Sequence, residues 1–216
     1  MKKIFFPLFA CIIFSANAQL QRDPVQPVEG SIVYSSTVNK PDYYDGSAWK
    51  NNDGTTTKTL VVGDSYQGGK VAYILQATDP GYDANTQHGI IAAPADQGST
   101  VWGCFGTTIS GAQGTAVGTG KQNTIDIIKS CATAGIAARL CIDLVLNGYS
   151  DWYLPSKDEL NKLYINRAVI GGFTNFNYWS STELNSNGAW GRNFGLGHLY
   201  GPNKNSKANV RAIRGF

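Results

Sequence analysis

The sequence predicts an α+β fold with short antiparallel strands, two to three helices and long loops, preceded by a small β-hairpin unit. Short apolar stretches separated by glycine and asparagine are typical of short strands joined by turns. Two stretches in the middle of the chain carry apolar residues at helical spacing. A third stretch, residues 151–166, runs from a strand directly into a helix. Together these observations predict the α+β class.

The first 18 residues have the pattern of a secretory signal peptide. Lys2 and Lys3 form a basic start, Ile4–Phe14 is an apolar run, and Ala16-Asn17-Ala18 is a small-x-small cleavage site. We therefore expect cleavage after Ala18 and a secreted protein or one on the outer cell surface. The apolar run is too short to span a bilayer. Lipid attachment at Cys11 is disfavoured, because too few apolar residues precede that cysteine.

Residues 19–58 are predicted to form a polar lead, a β-hairpin unit and a linker. Residues 30–34 and 41–49 contain strand-forming residues, and Asp45-Gly46 is a pair typical of hairpin turns. So few apolar residues cannot make a core alone. Residues 51–58 are polar throughout and form the clearest domain boundary. The unit resembles short β modules near the stalks of collagen-like and fibre proteins, which implies packing against partner chains or against the main domain.

Short strands are predicted in both halves of the main domain, residues 59–216. Each is an apolar run bounded by proline, glycine or asparagine. Residues 98–120 are rich in glycine and threonine, and we expect an irregular loop there. The predicted strands are residues 71–77, 89–93, 178–181, 189–194 and 209–214.

Two helices are predicted between these groups of strands. We expect Asn123 or Thr124 to cap the first helix, which continues through Ile128. The second helical stretch covers residues 136–144, where apolar residues recur at every fourth position. An Asn-Gly pair at residues 147–148 ends it.

A third helix follows the stretch around which the main domain is organised. Trp152 lies in the predicted half-buried strand, and Pro155 ends that strand. Ser156 is the predicted N-cap of a helix over residues 157–166, and Glu159 completes a capping box. We expect a structural role for Trp152, Pro155, Ser156, Glu159, Trp179 and Trp190.

Three cysteines remain after the predicted cleavage, and export favours one disulfide among them. Cys131 and Cys141 on one continuous helix would lie about 15 Å apart, which exceeds the reach of a disulfide. We favour a Cys104–Cys131 bond with Cys141 as a buried thiol. A helix break at Gly135 would leave the Cys131–Cys141 pairing open. The Cys-x-x-Cys spacing of metal and redox sites is absent from the sequence.

Charge is distributed unevenly along the chain. Residues 19–216 contain 16 basic and 15 acidic residues, so the exported chain is almost neutral. Residues 184–216 contain five basic residues and no acidic residue. A nearly neutral chain argues against general nucleic-acid binding, whereas its basic end is consistent with a local anion site.

This basic end holds the candidate ligand-binding residues. Lysines in a Gly-Pro-Asn loop are expected to be exposed, and arginine binds sulfate or carboxylate groups bidentately while aromatic rings pack on sugars. The alternative is that Arg211 and Arg214 only pair with core acids such as Asp151 and Glu183. The candidate ligand-binding residues are Arg192, His198, Tyr200, Lys204 and Lys207.

The motifs of common enzyme and metal sites are missing from the sequence. The Gly-x-Ser-x-Gly elbow of hydrolases is absent, and the nearest P-loop match fails because position 115 is threonine and position 122 is glutamine. The two histidines, His88 and His198, do not form a metal-binding pair. We therefore expect neither an enzyme nor a resident cofactor or metal.

Five motifs in order resemble the Lcl C-terminal domain family, named after the collagen-like adhesin of Legionella. The first is Asp-Trp-Tyr-Leu-Pro-Ser-x-x-Glu-Leu at residues 151–160, and the others lie at residues 171–173, 178–183, 189–190 and 210–214. The resemblance covers about residues 61–216. It implies a secreted α+β domain related to C-type-lectin-like folds, from a family whose founding adhesin trimerises and binds sulfated glycans. The calcium-binding loops of sugar-binding C-type lectins are missing here, so the resemblance does not bring calcium-dependent sugar binding.

The sequence thus predicts an exported, adhesin-like ligand-binding protein, with an anionic polysaccharide or a host or cell-surface ligand as its partner. The resemblance also implies a homotrimer, although the collagen repeats of the founding adhesin are absent. The alternative function is a structural or assembly module that is displayed on a surface or fibre. Nucleic-acid binding and a membrane span are not expected.

Overall fold

The computed structural model describes residues 32–34, 41–44, 49–50 and 59–216. The predicted signal peptide with its cleavage site after Ala18, the polar lead and the linker at residues 51–58 lie outside the described residues. The chain divides into two compact units, Met1–Lys58 and Thr59–Phe216. Among the described residues, no helix is long and apolar enough to cross a membrane.

The first unit contains a three-stranded antiparallel sheet in the order β1-β2-β3. Its strands are β1 Ile32–Tyr34, β2 Pro41–Tyr44 and β3 Trp49–Lys50. Ile32 pairs with Tyr43, and Tyr44 pairs with Trp49 across the predicted Asp45-Gly46 position. The two segments predicted to contain strands, residues 30–34 and 41–49, therefore both contribute strands to this sheet.

The second unit is an α+β domain with two sheets and four helices among its described residues. The strands are β4 Ser65–Tyr66, β5 Gly69–Ile74, β6 Gly89–Ala92, β7 Gly98–Val101, β8 Asn177–Glu183, β9 Ala189–Asn193, β10 Leu199–Tyr200, β11 Lys207–Val210 and β12 Ile213–Gly215. The helices are α1 Gly120–Ser130, α2 Ala137–Ile142, α3 Lys157–Ile165 and α4 Arg167–Ile170. The five-stranded sheet has the order β10-β9-β8-β11-β7, and the four-stranded sheet has the order β12-β6-β5-β4.

The C-terminal segment connects the two sheets. It was expected to be one strand over residues 209–214, but it forms β11 in the larger sheet and β12 in the smaller one. Tyr153 and Ile213 exchange two backbone hydrogen bonds of 2.8 and 3.0 Å, which ties the central stretch to β12. Residues 98–101, expected to be loop, form β7 because their backbone pairs with β11.

The central stretch has the helix and the capping box that its sequence predicts, but its predicted strand is reduced to an isolated bridge between Tyr153 and Ile213. The Trp152 ring is buried, and its Nε1 donates to the Tyr149 carbonyl at 3.1 Å. Ser156 and Glu159 form the predicted capping box at the start of α3. Burial raises the pKa of Glu159, although two backbone N–H groups, of Ser156 and Gly118, donate to its carboxylate. Glu159 therefore also holds the loop before α1.

The first helix begins earlier than predicted. Its N-cap is Thr119, so Asn123 and Thr124 lie inside α1 rather than at its start. Their side chains face the core, where Asn123 Nδ2 donates to the Gly114 carbonyl at 2.7 Å. Gly120 is the first residue of α1, and only glycine fits at this position because a Cβ would collide with the Glu159 carboxylate. The sequence pattern misplaced the cap because polar side chains inside α1 serve tertiary contacts.

The disulfide forms as favoured by the sequence. Cys104 and Cys131 are bonded, with their Cα atoms 5.9 Å apart. Cys141 is a buried free thiol, and burial raises its pKa. The bond fastens the irregular segment after β7 to the end of α1. Trp102 and Trp179 pack with Trp152 in the apolar cluster beneath this segment.

Candidate functional site: an arginine–tyrosine cluster beside the β9–β10 hairpin

Lys204 lies in the interior, not in an exposed loop. It is 0% exposed, and its Nζ lies 2.5 Å from Glu183 Oε1. The Nζ also donates to the Thr107 carbonyl at 2.7 Å and lies 4.6 Å from the centre of the Trp102 ring. The expectation that Lys204 is an exposed lysine is therefore wrong. It turns inward because the buried carboxylate of Glu183 requires a positive partner.

Two further basic residues pair with acids, as the alternative interpretation predicts. Arg214 makes two hydrogen bonds of 2.6 and 3.0 Å to the Asp151 carboxylate. These bonds lower the pKa of Asp151. Arg211 lies 2.7 Å from Asp96 rather than near Glu183, which is already paired with a lysine. Arg211 and Arg214 thus join distant parts of the fold and are not a ligand site.

Arg192 has a different environment. It lies on β9 and is half-buried, and its guanidinium carbon is 4.1 Å from the centre of the Tyr164 ring. The guanidinium carbon of Arg167 lies 4.0 Å from the centre of the same ring. Tyr164 comes from α3, and its ring packs edge-on against Phe194 at 5.5 Å. One tyrosine therefore brings two arginines together at the surface, and we call these three residues the arginine–tyrosine cluster.

This cluster has an uncompensated positive charge. Among the described residues, no carboxylate lies within ion-pair distance of Arg167 or Arg192. Burial lowers the pKa of Arg192, and the nearby charge of Arg167 lowers it further. The Nε atom of Arg192 is buried and has no hydrogen-bond partner among the described residues. Such a pair is able to accept a negatively charged group at little further desolvation cost.

Each of the two guanidinium groups makes one hydrogen bond among the described residues. Arg192 Nη2 donates to the Gly197 carbonyl, and Arg167 Nη1 donates to the Tyr164 carbonyl, each at 2.8 Å. These bonds fix the orientation of the side chains. A guanidinium has five N–H donors in a planar fork, so each arginine keeps donors for a sulfate, phosphate or carboxylate.

A second cation–aromatic pair lies along the same strand and helix. Trp190 precedes Arg192 by two residues on β9, so both side chains are on one face of the sheet. Lys157 precedes Tyr164 by seven residues on α3, which places both on one side of that helix. The Lys157 Nζ lies 5.3 Å from the centre of the Trp190 ring. On the β9–α3 side of the domain, two aromatic rings, Trp190 and Tyr164, thus each have a cationic side chain over the ring.

The five predicted ligand-binding residues do not converge. Arg192, His198 and Tyr200 share the β9–β10 hairpin, and His198 is exposed at its turn. Tyr200 is half-buried over Gly191, and burial raises the pKa of its hydroxyl. Lys204 is interior, and Lys207 is exposed on β11. Beside Arg192 the structure instead places Tyr164 and Arg167, with Lys157 and Trp190 on the same strand and helix, and the sequence analysis selected none of these four as ligand-binding residues.

A charge signal in the sequence points to Arg167, one of these missed residues. The 57 residues from Leu160 to Phe216 contain a single acidic residue, Glu183, and seven basic residues. Three of the seven pair with carboxylates in the interior or at its edge. Counting acids back to residue 160, rather than to residue 184, would have included Arg167.

Two shallow depressions lie on another face, beside Tyr153 and Phe216. Their volumes are about 260 and 390 Å³. His88, which lines the first, contacts the Phe216 carbonyl through Nδ1 at 3.1 Å. Lys121 and Asp151 line the second. The described residues contain no group of three or more potential metal ligands.

Comparison with known proteins and protein families shows the family to which this chain belongs. No curated protein matches it in sequence. A solved structure of a fimbrial protein from Bacteroides ovatus aligns with a TM-score of 0.46 and 15% sequence identity. The alignment covers 81% of this chain and 48% of that chain, so this chain spans about half the length of that protein. Residues 92–214, more than half of the chain, match the Lcl C-terminal domain. The protein therefore belongs to the Lcl C-terminal domain family.

Proposed function

We propose that this protein is an exported, adhesin-like module that binds an anionic ligand through the arginine–tyrosine cluster. The observation that carries the proposal is the pair of arginines held 4.0 and 4.1 Å from one tyrosine ring without a carboxylate partner among the described residues. Arg211 and Arg214, which join distant parts of the fold, both have acidic partners. A pair without them is suited to a partner molecule that brings the negative charge.

A sulfated or carboxylated polysaccharide is the ligand class that fits the surroundings best. Trp190 offers a ring for a sugar face, and the cations over Trp190 and Tyr164 offer donors for anionic substituents. A chain of sugars is long enough to meet both pairs along β9 and α3. His198 is exposed at the turn of the same hairpin and adds hydrogen bonds beside this surface in the proposed complex.

Heparin chromatography of the exported chain tests the proposal. The wild type should be retained at low salt and elute as salt rises, because screening weakens charge contacts. The double variant Arg167→Ala, Arg192→Ala should elute at clearly lower salt. A matched control is Lys121→Ala, Lys129→Ala, which removes two exposed lysines on α1 and the same net charge.

The arginine variant and the lysine control distinguish binding at the arginine–tyrosine cluster from non-specific attraction of heparin to positive charge. Equal losses in both would show that only net charge matters, and the cluster would not be the site. A wild type that flows through at low salt would reject anionic polysaccharide as the ligand class.

A second candidate function is an assembly or display module of a surface or fibre-like protein. It is favoured by the separate three-stranded sheet of residues 32–50, whose edges can pair with a partner chain. In this case we expect a homotrimer or another closed oligomer. Light scattering on residues 19–216 separates the two functions, because a monomer that binds heparin contradicts the assembly role.

The proposed function contains no catalytic step, and we propose that the domain is not an enzyme. Its α+β architecture is proposed to be related to C-type-lectin-like folds, without their calcium site. Ligand contact would then come from side chains around a rigid hairpin, since loops on a stable scaffold are the usual place for binding.

A further inference from the structure

The turn of the β9–β10 hairpin carries large apolar side chains that face solvent. Leu196 is 77% exposed at the turn, and Leu199 at the start of β10 is 41% exposed. Phe176 is 70% exposed, and its carbonyl accepts the Phe194 N–H at 2.9 Å, which places its backbone beside the residue two positions before Leu196. We call Phe176, Leu196 and Leu199 the apolar tip. Neighbouring exposed apolar side chains of this size usually mark a contact surface.

The turn is held by its own hydrogen bonds. Asn193 Oδ1 accepts the N–H groups of Gly195 and Leu196 at 3.0 and 2.6 Å. The Gly197 N–H donates to the Asn193 carbonyl at 2.9 Å, and Gly197 lies against the Tyr164 ring. The fold therefore presents Leu196 outward on a fixed turn rather than on a loose loop.

The apolar tip adjoins the arginine–tyrosine cluster. Leu199 lies directly opposite Arg192 in the β9–β10 pairing, and Arg192 Nη2 binds the Gly197 carbonyl in the turn itself. No acidic residue occurs between Leu184 and Phe216, and the preceding acid, Glu183, is buried with Lys204. The surface thus joins exposed apolar groups directly to unneutralised cations. A soluble polysaccharide would satisfy the cations but would leave the apolar tip in water.

We propose that this surface docks on a membrane that displays an anionic glycolipid. The apolar tip enters the boundary between head groups and acyl chains, and the two arginines contact the negative head groups. Leucine and aromatic side chains gain free energy by leaving water at such a boundary, and basic residues are attracted by its negative potential. The inference rests on the proposed anion site and adds that its ligand is presented by a lipid surface.

Vesicle sedimentation tests this inference. The probes are phosphatidylcholine vesicles that contain either sulfatide or galactosylceramide, which carry the same sugar with and without sulfate. The wild type should bind sulfatide vesicles at least tenfold more tightly than galactosylceramide vesicles. The variant Phe176→Ser, Leu196→Ser should lose about tenfold or more on sulfatide vesicles, because two apolar side chains no longer enter the boundary. Val145→Ser, which changes a 73% exposed valine after α2, should bind as the wild type does.

Parallel heparin chromatography separates this inference from the proposed function. The Phe176→Ser, Leu196→Ser variant should keep its heparin retention, whereas the Arg167→Ala, Arg192→Ala variant should lose both heparin and vesicle binding. Retention on heparin without binding to sulfatide vesicles overturns the lipid inference alone. Undiminished vesicle binding by the serine variant also overturns it. A wild type that binds neither probe overturns both.

Discussion

Positive charges serve two different purposes in the interior and on the β9–α3 surface of this domain. Lys204 is fully buried and lies 2.5 Å from Glu183. Arg192 is half-buried, stacks on Tyr164 and has no carboxylate partner among the described residues. An interior charge must be neutralised, because burial without a partner costs several kcal/mol. A half-buried arginine can instead rest on an aromatic ring and keep its charge for a partner molecule.

The comparison gives a way to separate structural cations from ligand-binding ones. A cation whose donors are all used inside the fold should affect stability, and a cation with spare donors should affect binding. Substitutions of Lys204, Arg214 and Arg192 test this distinction, and we expect their effects on stability to decrease in that order.

Lys204→Ala should give the largest loss of stability. It leaves the Glu183 carboxylate buried without its cation and removes the bond to the Thr107 carbonyl. We expect the free energy of unfolding to fall by about 3–5 kcal/mol. Urea unfolding measures it, with Lys207→Ala as the control, since that exposed lysine should change stability by less than about 0.5 kcal/mol. Similar values for the two variants would contradict the interior role of Lys204.

Arg214→Ala should have an intermediate effect that depends on pH. The Asp151 side chain is 42% exposed, so water replaces much of the lost interaction, and we expect about 1 kcal/mol at pH 7. Hydrogen bonds from Arg214 hold the pKa of Asp151 below the value of 3.8 for an isolated carboxyl. This stabilisation is therefore present above pH 3.8 and is lost as pH falls through the lowered pKa.

The pH dependence of the Arg214→Ala effect follows from the lowered pKa of Asp151. The stability difference between wild type and Arg214→Ala should be largest near neutral pH and should shrink below pH 3.8. Thermal unfolding of both proteins between pH 7 and pH 2 measures it. A difference that grows on acidification would show that the ion pair does not account for the effect.

The sequence predicted the local features of the fold well. The capping box at Ser156 and Glu159, the buried Trp152 and the Cys104–Cys131 bond each follow from a short-range pattern. It failed where tertiary contacts override local preference. Asn123 looked like a cap because its side chain favours one, but the core uses that amide inside α1. The change of sheet between β11 and β12 also has no local signal.

The candidate site was only partly predictable for the same reason. A basic C-terminal segment is visible in the sequence, and Arg192 was selected from it. Which lysine turns inward depends on Glu183, which the fold buries under the loop that contains Thr107. Arg167 joins Arg192 only because α3 and β9 pack together around Tyr164. Sequence spacing does not report that contact.

Arg192→Ala should have the smallest effect on stability of the three substitutions. The variant removes a stacking contact with Tyr164 and one bond to the Gly197 carbonyl, but it also removes repulsion from Arg167 and a buried Nε without a partner. Because these contributions oppose each other, we expect the free energy of unfolding to change by less than about 0.5 kcal/mol. Urea unfolding measures this change, and Arg192→Lys is the matched control, since it keeps the charge but loses the planar fork. If Arg192→Ala cost as much as Lys204→Ala, Arg192 would be a structural cation, and its charge would no longer support a ligand site.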